Sequence, residues 1–136
     1  MMNLSFQLQI LHHFSVYFMT GVIWIIQCVH YPLMKFVDPG QWREFHQKHS
    51  QQITFIVGPL MLLQLGSAFL MNEKMEICVG LSVLVFLFTG LISVPLHNKL
   101  AQGYEERTLK SLVSTNWLRT LTWTLHSFLL LSWLSG

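Results

Sequence analysis

Four of the seven histidines lie where long apolar runs of the chain end or begin. His30 and His97 close two such runs, in "VHYPLMKF" and "VPLHNKL", and His46 and His49 lie in the polar stretch between the first and second runs. If these positions share one side of a membrane, His30 and His97 are candidate ligands of a transition metal or of haem b. The alternative is that histidines at a membrane surface contact water and bind no ligand.

An arginine lies inside the last apolar run. In "STNWLRTLTWTLH", Thr115, Arg119, Thr122 and His126 recur at the spacing of one helical face. A cation costs about 2.5 to 3.5 kcal/mol at the bilayer centre. Arg119 therefore either extends to lipid phosphates at the surface or faces a buried partner, a bound anion or a substrate oxygen.

The first apolar run carries a polar stripe that steps by four and three residues, which also places it on one helical face. Such a stripe either joins helices through hydrogen bonds or lines a site. Its members are His13, Tyr17, Thr20, Trp24, Gln27 and Tyr31.

Two further polar residues, Gln64 and His126, are expected at similar depth in the membrane, where a direct or water-mediated hydrogen bond between them would satisfy both. His12 and His13 are expected near the opposite surface from His30 and His97, too far away to join that group.

The composition of the chain predicts the kind of secondary structure that carries these residues. About half of the 136 residues are apolar and 10% are charged, against roughly one quarter charged in soluble domains. Four runs approach the roughly 20 apolar residues that a transmembrane helix needs, at about 4–29, 53–71, 77–94 and 117–134. Continuous runs predict helices rather than barrel strands. We therefore expect an all-α, integral membrane four-helix bundle, one domain over 1–136, with interfacial helical segments before spans two and four.

The basic residues predict the orientation of this bundle. Most of them lie in the two longer connections, at Lys35, Arg43, Lys48, Lys99, Arg107 and Lys110. Under the positive-inside rule, both connections face the cytoplasm and both termini are extracytoplasmic, as in a protein of a bacterial inner membrane. Because the slightly basic charge concentrates on one membrane face, it indicates contact with lipid head groups and not with nucleic acid.

The two cysteines provide a test of this arrangement. Cys28 is expected at the inner end of span one and Cys78 at the outer end of span three, about 30 Å apart. A disulfide requires Cα atoms within about 7 Å. The thiols should not pair, and without a C-x-x-C motif a thiol redox enzyme is not expected.

A short internal repeat accompanies the ends of spans one and three. Pro32-Leu33 and Pro95-Leu96 are each followed by a lysine and then by a glycine eight residues after the proline. Two helical hairpins of similar orientation would produce this pattern.

Four stretches carry a resemblance to known proteins: "GVIWIIQCVHYPLMK", "VGPLMLLQL", "VPLHNKL" and "STNWLRTLTW". With these, the chain resembles small bacterial four-helix membrane proteins of unknown function over nearly all of its length. More distantly it is similar to the anthrone-oxygenase-like membrane proteins, some of which are associated with cofactor-free oxidation of aromatic polyketides. The positions that match are Pro95, Leu96, His97, Leu100, Asn116, Trp117, Arg119 and Thr120; His97 stands where asparagine is more usual. In size and in its early His and Trp residues the chain also resembles small haem b-binding protoporphyrinogen oxidases.

Two functions fit these patterns. The first is an oxidoreductase, cofactor-free or haem-binding, that acts on an aromatic, quinone-like or anionic small molecule. Arg119 would hold an anionic or phenolic oxygen, His97 or His30 would serve as general base or axial ligand, and Trp24 and Trp117 would stack on an aromatic ring. The remaining candidate substrate contacts are Gln27, Tyr31, Asn116, Gln64 and His126. The alternative is a non-catalytic membrane subunit, a lipid-binding module or a small transporter; a homo-oligomer is compatible with either function.

Overall fold

The computed structural model describes residues 3–71 and 75–134, and within these ranges the chain forms four long helices and no strand. Helix α1 runs over Leu4–Phe36, α2 over Trp42–Leu70, and α4 over Glu106–Leu134. Helix α3 comprises Met75–Phe88, Thr89–Ser93 and Val94–Gln102. The all-α bundle predicted from the sequence is therefore confirmed.

Each helix packs mainly on its neighbours in sequence, and α1 packs on α4 to close the ring. The buried apolar side chains form three clusters: one around Trp42 and Leu100, a second around Met19 and Trp123, and a third around Val16 and Cys78. Large apolar side chains also cover the outside of the bundle; Leu91 is 73% exposed and Phe128 is 67% exposed. This distribution suits a bundle surrounded by lipid.

Three of the helices, Leu4–Phe36, Trp42–Leu70 and Glu76–Gln102, are long and apolar enough to cross a membrane. Helix α4 is as long as α2 but less apolar, because a series of polar side chains is buried along it. These are Thr108, Asn116, Arg119, Thr120, Thr122, His126 and Ser127. The crossing predicted for 117–134 therefore stays a prediction, and the polarity of α4 belongs to the face that the other helices cover.

All four helices extend beyond the predicted spans on the side of the two longer connections. The segments before spans two and four are helical, as expected, and each continues without interruption into the helix that follows. We call this side of the bundle the basic end, since it carries Lys35, Arg43, Lys48, Lys99, Arg107 and Lys110, and we call the opposite side the terminal end.

The Pro-Leu repeat has a structural counterpart. Each proline follows a five-residue π-helical segment, Ile26–His30 in α1 and Thr89–Ser93 in α3. Proline lacks a backbone N–H and clashes with the carbonyl four residues earlier, and the wider π turn accommodates both effects without ending the helix. This is why α1 continues to Phe36 instead of ending near Val29.

Candidate functional site

The four histidines expected to share one membrane face are together at the basic end. Nε2 of His30 lies 2.9 Å from Nδ1 of His49, and Nε2 of His46 lies 3.1 Å from Nδ1 of His97. The rings of His49 and His97 are 5.9 Å apart between centroids, so the two pairs form one cluster. We refer to His30, His46, His49 and His97 as the histidine cluster.

A tyrosine extends this cluster into the core. The hydroxyl of Tyr31 lies 3.0 Å from Nε2 of His97, whose Nδ1 contacts His46. Tyr31 is 2% exposed and His46 is 1% exposed. The residues Tyr31, His97 and His46 therefore form a hydrogen-bonded chain in which both nitrogens of the central imidazole are used. Tyr31 occupies this position because the π segment before it rotates the following turn of α1.

Arg119 lies beside this chain and is 6% exposed. One guanidinium nitrogen donates to Ser93 Oγ at 3.3 Å and to Asn116 Oδ1 at 3.2 Å. The Tyr31 hydroxyl lies close enough to interact with the guanidinium electrostatically. Arg119 thus has buried partners and does not extend to the surface.

The hydrogen bonding of Arg119 is incomplete. Its Nε is buried and has no hydrogen-bond partner. In the described part of the chain, both ion pairs involve other cations, Lys48 and Lys110. A buried cation without a carboxylate beside it is suited to stabilise negative charge on a neighbouring oxygen.

The side-chain amides of Gln27 on α1 and Asn116 on α4, both predicted as substrate contacts, join these two helices through hydrogen bonds. Asn116 donates from Nδ2 to Oε1 of Gln27 at 2.8 Å, and Gln27 donates from Nε2 to the Val113 carbonyl at 3.1 Å. Both residues are buried. They orient the Asn116 oxygen toward Arg119 and so position the guanidinium next to Tyr31.

Two clefts open at the basic end, on either side of the Tyr31–His97–His46 chain. The first, of about 520 Å³, is lined mostly by residues of polar type, among them His46 and His97, and we call it the polar cleft. The second, of about 440 Å³, we call the aromatic cleft; Tyr31, Trp117, Tyr104, Leu109, Val113, Lys35 and Lys110 are among its lining residues. The hydrogen-bonded chain connects the walls of the two clefts.

The two predicted stacking tryptophans are neighbours, with ring centroids 5.6 Å apart in an edge-to-face arrangement. Trp117 lines the aromatic cleft, whereas Trp24 is not among its lining residues and donates from Nε1 to Thr124 at 3.0 Å. Of the two tryptophans, only Trp117 is therefore placed to contact a molecule in that cleft.

Gln64 and His126 approach each other as predicted, with Gln64 Nε2 3.5 Å from His126 Nδ1. They line neither cleft, because both lie further toward the terminal end. His126 also contacts His12, at 3.2 Å between their Nε2 atoms. His12 was correctly expected to stay apart from the histidine cluster, but its pairing with His126 was not predicted. Thr20, Gln27 and Trp24 of the stripe all contact α4, so the stripe joins these helices.

Of the two haem ligands considered, His97 has both ring nitrogens in hydrogen bonds, and His30 has its Nε2 in one. An axial ligand needs a nitrogen free to bind iron. Both nitrogens of His97 are in hydrogen bonds, and Nε2 of His30 is bonded to His49, with the two rings stacked 4.4 Å apart between centroids. This arrangement is suited to proton exchange between Tyr31, His97 and His46, while His46 Nδ1 and His49 Nε2 are buried without a hydrogen-bond partner.

No family model, curated protein or solved structure matches this chain.

Proposed function

We propose that the protein is an oxidoreductase of the bacterial inner membrane that acts on a hydroxylated aromatic or quinone-like molecule bound in the aromatic cleft. The observation that carries the proposal is the hydrogen-bonded chain from Tyr31 through His97 to His46, with distances of 3.0 Å and 3.1 Å. It begins at the wall of one cleft and ends at the wall of the other.

The aromatic cleft suits a small ring with a polar edge. Its volume of about 440 Å³ is within the range of about 300 to 1,000 Å³ that is usual for ligand sites. Trp117 and the side chains of Leu109 and Val113 offer apolar surface, and Tyr31, whose hydroxyl lies 3.0 Å from His97, belongs to the same lining. A phenol or hydroquinone would place its ring on Trp117 and its hydroxyl at Tyr31.

Tyr31, His97 and His46 would then move one proton out of the substrate. The substrate hydroxyl gives its proton to the Tyr31 oxygen while the Tyr31 proton passes to Nε2 of His97. The proton on Nδ1 of His97 passes to Nε2 of His46, beside the polar cleft. Arg119 stabilises the negative charge that develops on the Tyr31 oxygen during the transfer.

The anion that results is more readily oxidised than the neutral hydroquinone. With dioxygen as the oxidant, the second proton and two electrons leave the ring, and hydroquinone plus dioxygen give quinone plus hydrogen peroxide. This chemistry is cofactor-free, as in the enzymes of the anthrone-oxygenase-like family. We place the basic end, and therefore the polar cleft, at the cytoplasmic surface, where the proton can reach water.

The proposal can be tested with purified protein and a short-chain alkyl hydroquinone. We expect saturable binding by titration calorimetry, together with protein-dependent oxygen uptake and hydrogen peroxide formation. Tyr31→Phe keeps the ring but removes the hydroxyl, so binding should persist while the oxidation rate falls about 100-fold, within the usual contribution of proton transfer. Tyr104→Phe is the matched control, since Tyr104 lines the same cleft but packs on Trp42.

A second candidate function is a lipid-binding module. Lys35 and Lys110 belong to the lining of the aromatic cleft, where they could contact the phosphate of a phospholipid while an acyl chain contacts Trp117. In that case an anionic phospholipid should co-purify, and the double variant Lys35→Gln and Lys110→Gln should lose it. Wild-type protein without hydroquinone oxidation but with this lipid would contradict the oxidoreductase and support the lipid-binding function.

A further inference from the structure

A second group of reactive side chains lies toward the terminal end, on three different helices. His12 belongs to α1, Cys78 to α3 and His126 to α4. One ligand atom from each, the imidazole nitrogens and the cysteine sulfur, lies within 4.8 Å of the others. All three side chains are fully buried. Such convergence is seen for no other three histidine, cysteine or acidic residues in the ranges 3–71 and 75–134.

In the tautomer that His12 adopts, the unprotonated nitrogen is Nε2, the atom that lies beside His126. Nδ1 of His12 lies 3.1 Å from the Gln64 carbonyl and 3.0 Å from Ser67 Oγ. A carbonyl only accepts, so Nδ1 carries the proton and Nε2 does not. Ser67 donates its own proton to the Leu63 carbonyl at 2.7 Å and can accept from His12. Metal-binding histidines commonly have their second nitrogen held in this way.

We propose that His12, Cys78 and His126 bind one copper(I) ion. The two Nε2 atoms are 3.2 Å apart. Two nitrogens that each lie about 2.0 Å from one ion are about 3.3 Å apart when the angle between the bonds is near tetrahedral. The separation found here therefore requires little movement of either imidazole. Without metal, His126 Nε2 donates to the unprotonated Nε2 of His12, so His126 must move its proton from Nε2 to Nδ1 when the ion binds.

The choice of copper(I) follows from the donor atoms and from charge. Two imidazoles and one thiolate are donors that copper(I) and zinc both accept. The binding step, Cys–SH plus Cu⁺ giving Cys–S–Cu plus H⁺, leaves the site neutral, whereas Zn²⁺ would leave one positive charge. Val16, Ala68, Met71 and Leu130 pack around Cys78 in one buried cluster. An uncompensated charge is costly in such surroundings.

Met71 strengthens this assignment. It is 4% exposed and belongs to the same buried cluster as Cys78. Its thioether is a soft donor that suits copper rather than zinc. Two histidines and one cysteine, with a methionine in the same buried cluster, are donor types that copper proteins use.

The test uses the full-length protein in detergent, titrated anaerobically with copper(I) in competition with a chromophoric copper(I) chelator. We expect one copper(I) per chain, and copper X-ray absorption with two nitrogen neighbours and at least one sulfur neighbour. Cys78→Ser should weaken binding at least 100-fold. Cys78→Ala, which keeps the site apolar, guards against a folding defect caused by a buried hydroxyl and should show the same loss.

Cys28→Ser is the matched control, because Cys28 is exposed and lies 16 residues from His12 on α1, about 24 Å away. It should bind copper(I) as the wild type does. The proposal fails if Cys78→Ser and Cys78→Ala both retain wild-type copper(I) affinity, or if the folded wild-type protein binds no copper(I). An equimolar amount of Zn²⁺ that displaces copper(I) would overturn the identity of the metal. The result is independent of hydroquinone oxidation, since the two sites share no residue.

Discussion

The indole nitrogen of Trp123 donates to Oε1 of Gln64 at 2.9 Å, in the middle of the bundle. The guanidinium of Arg119 lies over the same indole, 5.4 Å from the ring centre. On its other side, Gln64 donates to Ser82 at 3.1 Å and adjoins His126. This single tryptophan, which is fully buried, therefore connects the polar groups of the basic end with those around His12.

We expect Gln64→Leu to destabilise the protein strongly. The change leaves the indole N–H of Trp123 and the hydroxyl of Ser82 buried without their present partner, and each such group costs about 1 to 3 kcal/mol. Thermal unfolding in detergent, followed by circular dichroism, should show a clear decrease in Tm. Gln52→Leu on the same helix is the control, because Gln52 is exposed. Similar Tm values for the two variants would contradict the buried network.

We expect the Arg119→Lys variant to be less stable and less active than the wild type. One guanidinium nitrogen donates to both Ser93 and Asn116, and the guanidinium lies over the Trp123 ring. A lysine ammonium is a compact, strongly hydrated charge with no planar group to stack on that ring. We expect a loss of stability of about 1 to 3 kcal/mol and a large decrease in hydroquinone oxidation. Arg107→Lys serves as control, since Arg107 is exposed at the basic end. A lysine variant at position 119 that behaves like the wild type would indicate that only the charge matters.

The two cysteines should react at very different rates. Cys28 is exposed and Cys78 is fully buried, and both are free. A small membrane-permeant maleimide should modify one thiol per native chain and two after denaturation, as counted by mass spectrometry. Copper(I), if it binds as proposed, should slow the modification of Cys78 further while leaving Cys28 unaffected. A disulfide between Cys28 and Cys78 would contradict the helix arrangement.

Reporter fusions can establish the orientation. The basic residues of the connections concentrate at one end of the bundle, so insertions at Gly103, between α3 and α4, should behave as cytoplasmic. Fusions at Gly136 and in the segment Asn72 to Lys74 should behave as extracytoplasmic; these positions lie outside the described residues. The opposite reporter activities would place the histidine cluster at the outer surface.

Much of the architecture follows from the sequence alone. Long apolar runs with few charges require helices in lipid, because backbone groups find no other partners there. The positions of His30, His46, His49 and His97 at the ends of these runs were enough to predict that they lie at the same end of the bundle. Depth along the helices can be estimated from residue number, which also explains why Gln64 and His126 could be placed at a similar level.

Only the tertiary structure determined which helical faces meet. Residue number gives the depth of a side chain but not the rotation of its helix against three neighbours, and that rotation depends on the packing of all four together. For this reason the partners of Arg119, the Tyr31–His97 contact and the meeting of His12, Cys78 and His126 were not predictable. The π segments before Pro32 and Pro95 add to the difficulty, because each changes the rotation of every residue that follows it.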